Sequence, residues 1–245
     1  MIERSIQIVT PDGRMSTFIC HPERDSPHPA IIIFMDAPGI REELRDMARR
    51  LGTVGYYVML PNLYYRSNVE ELAAAAAAAN VDMRQKALQL MATINIPLVM
   101  QDVDALLAFA GQDKAASRGP MGCVGYCMSG QYAINAAVRH KERIRAAASM
   151  YGVALVTDKP DSPHLAPQRT DARLYFGCAE KDQYAPLEMI ERLRAEIAAK
   201  GGNAEVEIYP GTGHGFAFPS RPVYDKPAAE RHWERLFTLF GAALK

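Results

Sequence analysis

Neither sign of charge is in excess in this 245-residue chain: Lys and Arg together number 28, and so do Asp and Glu. Without a basic excess or a long charged block, nucleic acid is not expected as a partner, nor is an interaction tail. Long apolar runs are missing too. None approaches the roughly 18 residues that a membrane span needs, so no membrane partner is expected. The N-terminal MIERSIQIVTPDGR carries Glu3 and no apolar h-region, which argues against a signal peptide. Cysteine is scarce: Cys20, Cys123, Cys127 and Cys178. Four in a chain of this length make no disulfide framework, and a reducing, cytoplasmic setting is the expectation. Cys123 and Cys127 are spaced C-x3-C, but no second pair and no clustered His accompany them, so no metal site is expected.

What is present is ordinary for a soluble globular enzyme: 49% hydrophobic and 23% charged residues, in a length that fits one sizeable core and a single domain over 1–245. RSIQIVTPDGRMSTFICHPE alternates about the turn signal Pro11-Asp12-Gly13 and reads as an N-terminal β-hairpin. PAIIIFM (29–35) and YYVMLPNLY (56–64) are continuous apolar runs, as in strands buried on both faces of a parallel sheet. Between them REELRDMARRLGTVG has a helical period that Gly52 or Gly55 can close. Helix and strand patterns then alternate to the end, which predicts an α/β fold with a mostly parallel central sheet and helices on both faces. Seven consecutive alanines, Ala73 to Ala79, form helix readily but bury little area. They fit a weakly attached surface helix better than a lid.

The chemistry centres on CVGYCMSGQYAINAAV, residues 123–138, a short strand, a tight turn and a helix. Cys127 sits at the tip, with Gly125 and Gly130 around it. The pattern resembles the nucleophile elbow usually written G-x-S-x-G, with Ser129 at the fifth position. In such a turn small neighbours let strand and helix pack closely. The nucleophile points out beside a helix N-terminus, a setting that favours a thiolate. The Met128 N–H is then available to an oxyanion. Taken alone, Cys127 is equally a small core residue, the role that suits Cys20, Cys123 and Cys178.

Its partners bear on the choice. Elbow hydrolases run nucleophile, acid, histidine along the chain. His214, in YPGTGHGFAF, directly follows a strand and stands among Gly211, Gly213 and Gly215, which let the loop bend back over the sheet. His140, His164 and His232 read as surface residues. The acid should follow the preceding strand, and LYFGCAEKDQYAP offers Asp182, with Glu180 in reserve. Asp182 can orient the histidine or simply serve as a turn or N-cap residue before the helix at Pro186.

PAIIIFMDAPGIREELRDMARRLGTVGYYVMLPNLYYR, MGCVGYCMSGQYA, YFGCAEKDQYAP and YPGTGHGFAF, in this order over most of the chain, resemble the dienelactone hydrolase (carboxymethylenebutenolidase) family of α/β-hydrolases. The resemblance implies Cys127 as nucleophile, His214 as base and Asp182 as acid. It implies a carboxylate near the thiol, here Asp36 where the family has glutamate, and the Ala37 N–H as a second oxyanion donor. An arginine that binds a substrate carboxylate lies, in the family, shortly after the histidine. Phe218 stands at that position, with Arg221 three residues on. Arg84 is a second candidate cation. Phe216 and Phe218 favour a more apolar ester or lactone, and Tyr64 and Tyr65 either line the pocket or pack. The expectation is a small-ester or lactone hydrolase that uses no metal or organic cofactor, as a monomer or small homo-oligomer. A broad carboxylesterase and a non-catalytic ligand-binding protein of the same fold are the alternatives, and a redox-sensing role for Cys127 is a third.

Overall fold

Period-two alternation at the N-terminus produces the expected hairpin. Strands β1 (Ile2–Thr10) and β2 (Gly13–His21) pair antiparallel, Ile2 opposite His21 and Thr10 opposite Gly13. Arg4, Ile6, Ile8 and Thr10 turn inward while Glu3, Ser5, Gln7 and Val9 face solvent. The structure, a computed structural model, describes residues 1–244 and divides into two compact units, Met1–Gly119 and the chain from Pro120 onward.

In the first unit the apolar runs become β3 (Ala30–Phe34) and β4 (Tyr57–Pro61), buried along their whole length. They pair parallel, β2 joins β4 antiparallel, and the order is β1-β2-β4-β3. Helix α1 (Glu42–Thr53) connects β3 to β4. It carries Glu42 and Glu43 in its first turn and Arg50 in its last, in line with its dipole. Gly55, at φ 103°, closes it, whereas Gly52 lies inside the helix. The alanine-rich stretch is two short helices, α2 (Leu72–Ala78) and α3 (Met83–Met91), broken where Asn80 turns left-handed and Asp82 caps the Gln85 N–H. Only Leu72 and Ala76 of α2 are buried, so it is a surface helix. Asn95 caps α4 (Ile96–Gln112) through the Leu98 N–H at 3.0 Å.

The second unit alternates except between β6 and β7, which only a 3-10 segment separates: β5 (Met121–Tyr126), α5 (Gly130–Arg139), β6 (Ile144–Met150), β7 (Arg173–Lys181), α6 (Leu187–Lys200), β8 (Ala204–Gly213) and α7 (Lys226–Ala243). Its strands are all parallel in the order β5-β6-β7-β8. Side chains of β5 sort helices onto its two faces. A Cβ at Gly122 would meet Phe240 of α7 at 2.7 Å, while the next residue, Cys123, approaches the Ala133 carbonyl of α5 at 3.3 Å. Successive strand residues face opposite ways, so α7 and α5 cover opposite faces, as the alternation predicts.

Two histidines read as surface residues are in fact buried. His232 has no exposed area, because with Ala229, Trp233, Leu236 and Phe240 it belongs to the inward stripe of α7. Its Nε2 accepts from the Tyr126 hydroxyl at 2.9 Å, with Nδ1 turned to the Ala229 carbonyl. His164 lies in a buried 3-10 segment, Pro163–Gln168, with Nδ1 2.8 Å from the Ser162 hydroxyl. Burial lowers its pKa.

Candidate active site

Cys127 stands at the C-terminal end of β5 at the start of a 3-10 turn, Cys127–Ser129, that leads into α5. Its φ of 55° is left-handed, a conformation a side chain adopts only where its surroundings impose it. The surroundings are visible in the flanking glycines. A Cβ at Gly125 would stand 2.0 Å from the Ser129 carbonyl oxygen, and one at Gly130 would stand 2.2 Å from the Ser149 Oγ of β6. No side chain fits at either position, which is the physical content of the elbow motif. Cys127 is half-buried, whereas Cys20, Cys123 and Cys178 are buried in strands. Burial pushes the thiols of Cys20 and Cys178 up to about 12 and that of Cys123 higher still, so all three stay protonated and inert.

The other two candidates come from the ends of β7 and β8. Asp182 follows β7 and is buried. One carboxylate oxygen accepts the N–H groups of Tyr184 (2.8 Å) and Ala185 (3.2 Å), and the other accepts from His214 Nδ1 at 2.6 Å. The turn role and the acid role are thus filled by different oxygens of one side chain. His214 follows β8 in a loop with Gly215 at positive φ, and Gly211, near the end of the strand, is at positive φ as well. Glu180, the reserve acid, instead accepts the Gly211 N–H at 2.7 Å and braces that loop.

The imidazole makes T-shaped contacts with two tyrosine rings, Tyr151 at 5.3 Å and Tyr184 at 4.9 Å between ring centroids. Burial pulls its pKa down, but the Asp182 hydrogen bond and the neighbouring Cys127 sulfur outweigh it, and the pKa is pushed up to about 9. Nε2 is buried and has no well-formed hydrogen bond, so the interaction with the thiol is loose in this resting state. Cys127, His214 and Asp182 are therefore brought together at the carboxyl ends of β5, β8 and β7, where ligands of open α/β sheets bind.

Phe216 and Phe218 do not form an exposed wall. Both have no exposed area and pack edge-on against Tyr151 at 5.3 and 6.0 Å, behind the histidine. Two aromatic residues in a tight glycine turn are drawn into the core because the turn reverses them onto the strand ends. Arg221 stacks over Phe218 at 4.7 Å, and its guanidinium lies where a Gly215 Cβ would point, at 2.5 Å. A cation thus stands beside the histidine turn although Phe218 holds the position expected for it. Met128 is buried in the 3-10 turn that follows Cys127.

The remaining candidates belong to the first unit. Asp36 is fully buried, and Arg41 donates to both its oxygens, at 2.5 and 3.3 Å. Arg41 also holds Glu43 at 2.9 Å and the Gly39 carbonyl at 3.2 Å. The Tyr64 hydroxyl donates to the Ala37 carbonyl at 2.8 Å, bracing the Asp36–Gly39 turn. Tyr65 contacts Thr10 at 2.8 Å and donates to Asp102 at 2.7 Å, in a cluster that Arg66 completes. Both tyrosines pack. Arg84 is exposed in the first turn of α3. Sequence reasoning missed Arg41, Tyr151 and Tyr184. Arg41, five residues after Asp36, was the most visible of the three.

The sequence profile described as the Dienelactone hydrolase family matches residues 15–244. A protein of Methylorubrum extorquens named "Putative carboxymethylenebutenolidase" is 27% identical over 99% of this chain and 83% of its own. A Bradyrhizobium protein named "Probable 2-oxo-3-(5-oxofuran-2-ylidene)propanoate lactonase" is 26% identical over 84% of this chain and 80% of its own. Among solved structures, a "Putative Dienelactone Hydrolase" from Klebsiella pneumoniae superposes with a TM-score of 0.85 at 22% identity, over 98% of each chain.

Proposed function

Since the chain belongs to the dienelactone hydrolase family, hydrolases of the α/β-hydrolase fold that act on esters or lactones, we propose that it cleaves small esters or lactones through Cys127, His214 and Asp182, by way of a thioester. The observation that carries this reading is the histidine: Nδ1 is held by a buried carboxylate, and the neighbouring thiol stands on a strained turn. The family match runs through both compact units, which supports one hydrolase domain over the whole chain.

In this reading His214 Nε2 holds the proton taken from Cys127, and the thiolate attacks the carbonyl carbon. The Met128 N–H and, by the family resemblance, that of Ala37 hold the oxyanion. The carbon–oxygen bond breaks, its electron pair leaves with the alcohol oxygen, and Nε2–H supplies the proton. Water, losing a proton to Nε2, then splits the thioester and returns the thiol. Asp182 holds the tautomer and balances the imidazolium. A sulfur nucleophile suits activated esters and enol lactones, whose enol or phenol leaving groups depart easily, and disfavours amides. Asp36 is the proposed thiol-side carboxylate, with Arg41 fixing its position.

One observation favours a narrower substrate. Arg221 beside Gly215 gives a carboxylate-bearing lactone a partner, and the Bradyrhizobium relative is named for such a compound. The test is hydrolysis of p-nitrophenyl acetate and of a dienelactone, with wild type, Cys127→Ala and His214→Ala. Cleavage by wild type with losses of about 10³-fold or more in both variants is expected. A lactone preference that Arg221→Ala removes supports the anionic substrate, and equal use of both supports a broad esterase. Folded wild type inert to both sinks the hydrolase reading and leaves a ligand-binding protein.

A further inference from the structure

The two tyrosines that flank His214 differ in one respect. Tyr151 has no exposed area, and its ring is packed among Tyr126, Phe216 and Phe218. Tyr184 is 49% exposed, although its ring sits closer to the imidazole, at 4.9 Å and an interplanar angle of 65°. The Tyr184 N–H is one of the two that Asp182 accepts, which ties the backbone of this residue to the acid.

We propose that Tyr184 is a specificity-determining residue that selects esters and lactones with a planar, unsaturated leaving group, an enol or a phenol. The inference rests on the triad reading and deepens it. When the carbon–oxygen bond breaks, the departing oxygen must take its proton from His214 Nε2, so the leaving group lies against the imidazole. The Tyr184 ring makes a T-shaped contact with that imidazole, and about half of the residue is open. A planar π system leaving from His214 can stack on Tyr184 or meet it edge to face. A compact saturated alkoxide at the same place covers little of the ring. Asp182–His214 geometry is set by backbone and carboxylate atoms that a change of the Tyr184 side chain leaves in place.

The experiment compares phenyl acetate with hexafluoroisopropyl acetate, two acetates whose leaving groups are similarly acidic, one planar and one not. Both form the same acetyl thioester, so their difference in kcat/KM reports acylation alone. Wild type, Tyr184→Phe, Tyr184→Leu and Tyr184→Ala are measured at one pH. The expected result is a fall of about fivefold in kcat/KM for phenyl acetate in Tyr184→Ala and Tyr184→Leu, with the fluoroalkyl ester within twofold of wild type and Tyr184→Phe retaining the aryl preference. If the two esters fall together, Tyr184 acts on His214 itself, and the inference is overturned; an unchanged ratio in all variants overturns it too. Wild type inert to both acetates would remove the hydrolase reading and this inference together, whereas active wild type with an unchanged ratio removes the inference alone.

Discussion

Two of the buried carboxylates held by a nitrogen cation, Asp36 in the first compact unit and Asp182 in the second, are built for different ends. Asp36 is paired with Arg41, whose charge is permanent: burial works against it, but Asp36 and Glu43 outweigh burial and raise its pKa further. Asp182 is paired with His214, whose pKa is pushed up to about 9 and so titrates within a working range. The first pair fixes a turn. The second can give and take a proton without coming apart, because two backbone N–H groups hold Asp182 whatever the charge on the histidine. A carboxylate with a partner that titrates is the one to read as chemistry.

The largest break in this comparison should come from Asp182→Asn. The amide oxygen can still accept the turn N–H groups, so the fold should persist, yet the histidine loses its tautomer control. A fall of about 10²–10⁴-fold in kcat/KM for p-nitrophenyl acetate is expected, with the circular dichroism spectrum unchanged.

Arg41→Met, by contrast, should act on stability. It leaves a buried carboxylate without its cation, at a cost of about 2–3 kcal/mol in urea unfolding, below the fully buried range because Arg41 is a quarter exposed. The pH dependence separates the two pairs. His214 has its folded pKa raised from an ordinary value near 6.5, so the stability it contributes is fully present below about pH 6.5 and is lost as pH rises through about 9. The melting-temperature gap between wild type and Asp182→Asn should therefore be widest at pH 6 and shrink by pH 10. The gap for Arg41→Met should be the same at both. A gap for Asp182→Asn that widens toward pH 10 would contradict the raised histidine pKa.

The smallest effect is expected from Glu180→Gln. Its carboxylate is two residues from Asp182 but accepts the Gly211 N–H at an exposed site. Loss of that charge should cost a few tenths of a kcal/mol and leave kcat/KM within twofold. A loss comparable to that of Asp182→Asn would move the acid to Glu180.

Much of this was legible along the chain, and the exceptions have identifiable causes. The hairpin, the buried strands and the elbow are local patterns, and each formed where its period and glycines required. The alanine-rich segment split because Asn80 and Asp82 interrupt a run whose helical propensity is otherwise unbroken. His232 was hidden by its charged neighbours Arg231 and Glu230, although its spacing from Ala229, Leu236 and Phe240 places it on the apolar stripe. His164 offered no such signal. Its burial depends on Leu155 and Ser162, brought to it by the path of a loop.

The sequence by itself determined the class of fold, the order of Cys127, Asp182 and His214 along the chain and the small residues that Cys127 needs around it, because these follow from local period, turn sterics and the helix N-terminus. Only the tertiary structure decided which carboxylate meets the histidine, that Phe216 and Phe218 are core while Tyr184 is open, and that Asp36 belongs to Arg41. Those outcomes depend on where separate strand ends bring their loops, and on how much water each side chain loses there. Neither quantity is a property of any one stretch of chain.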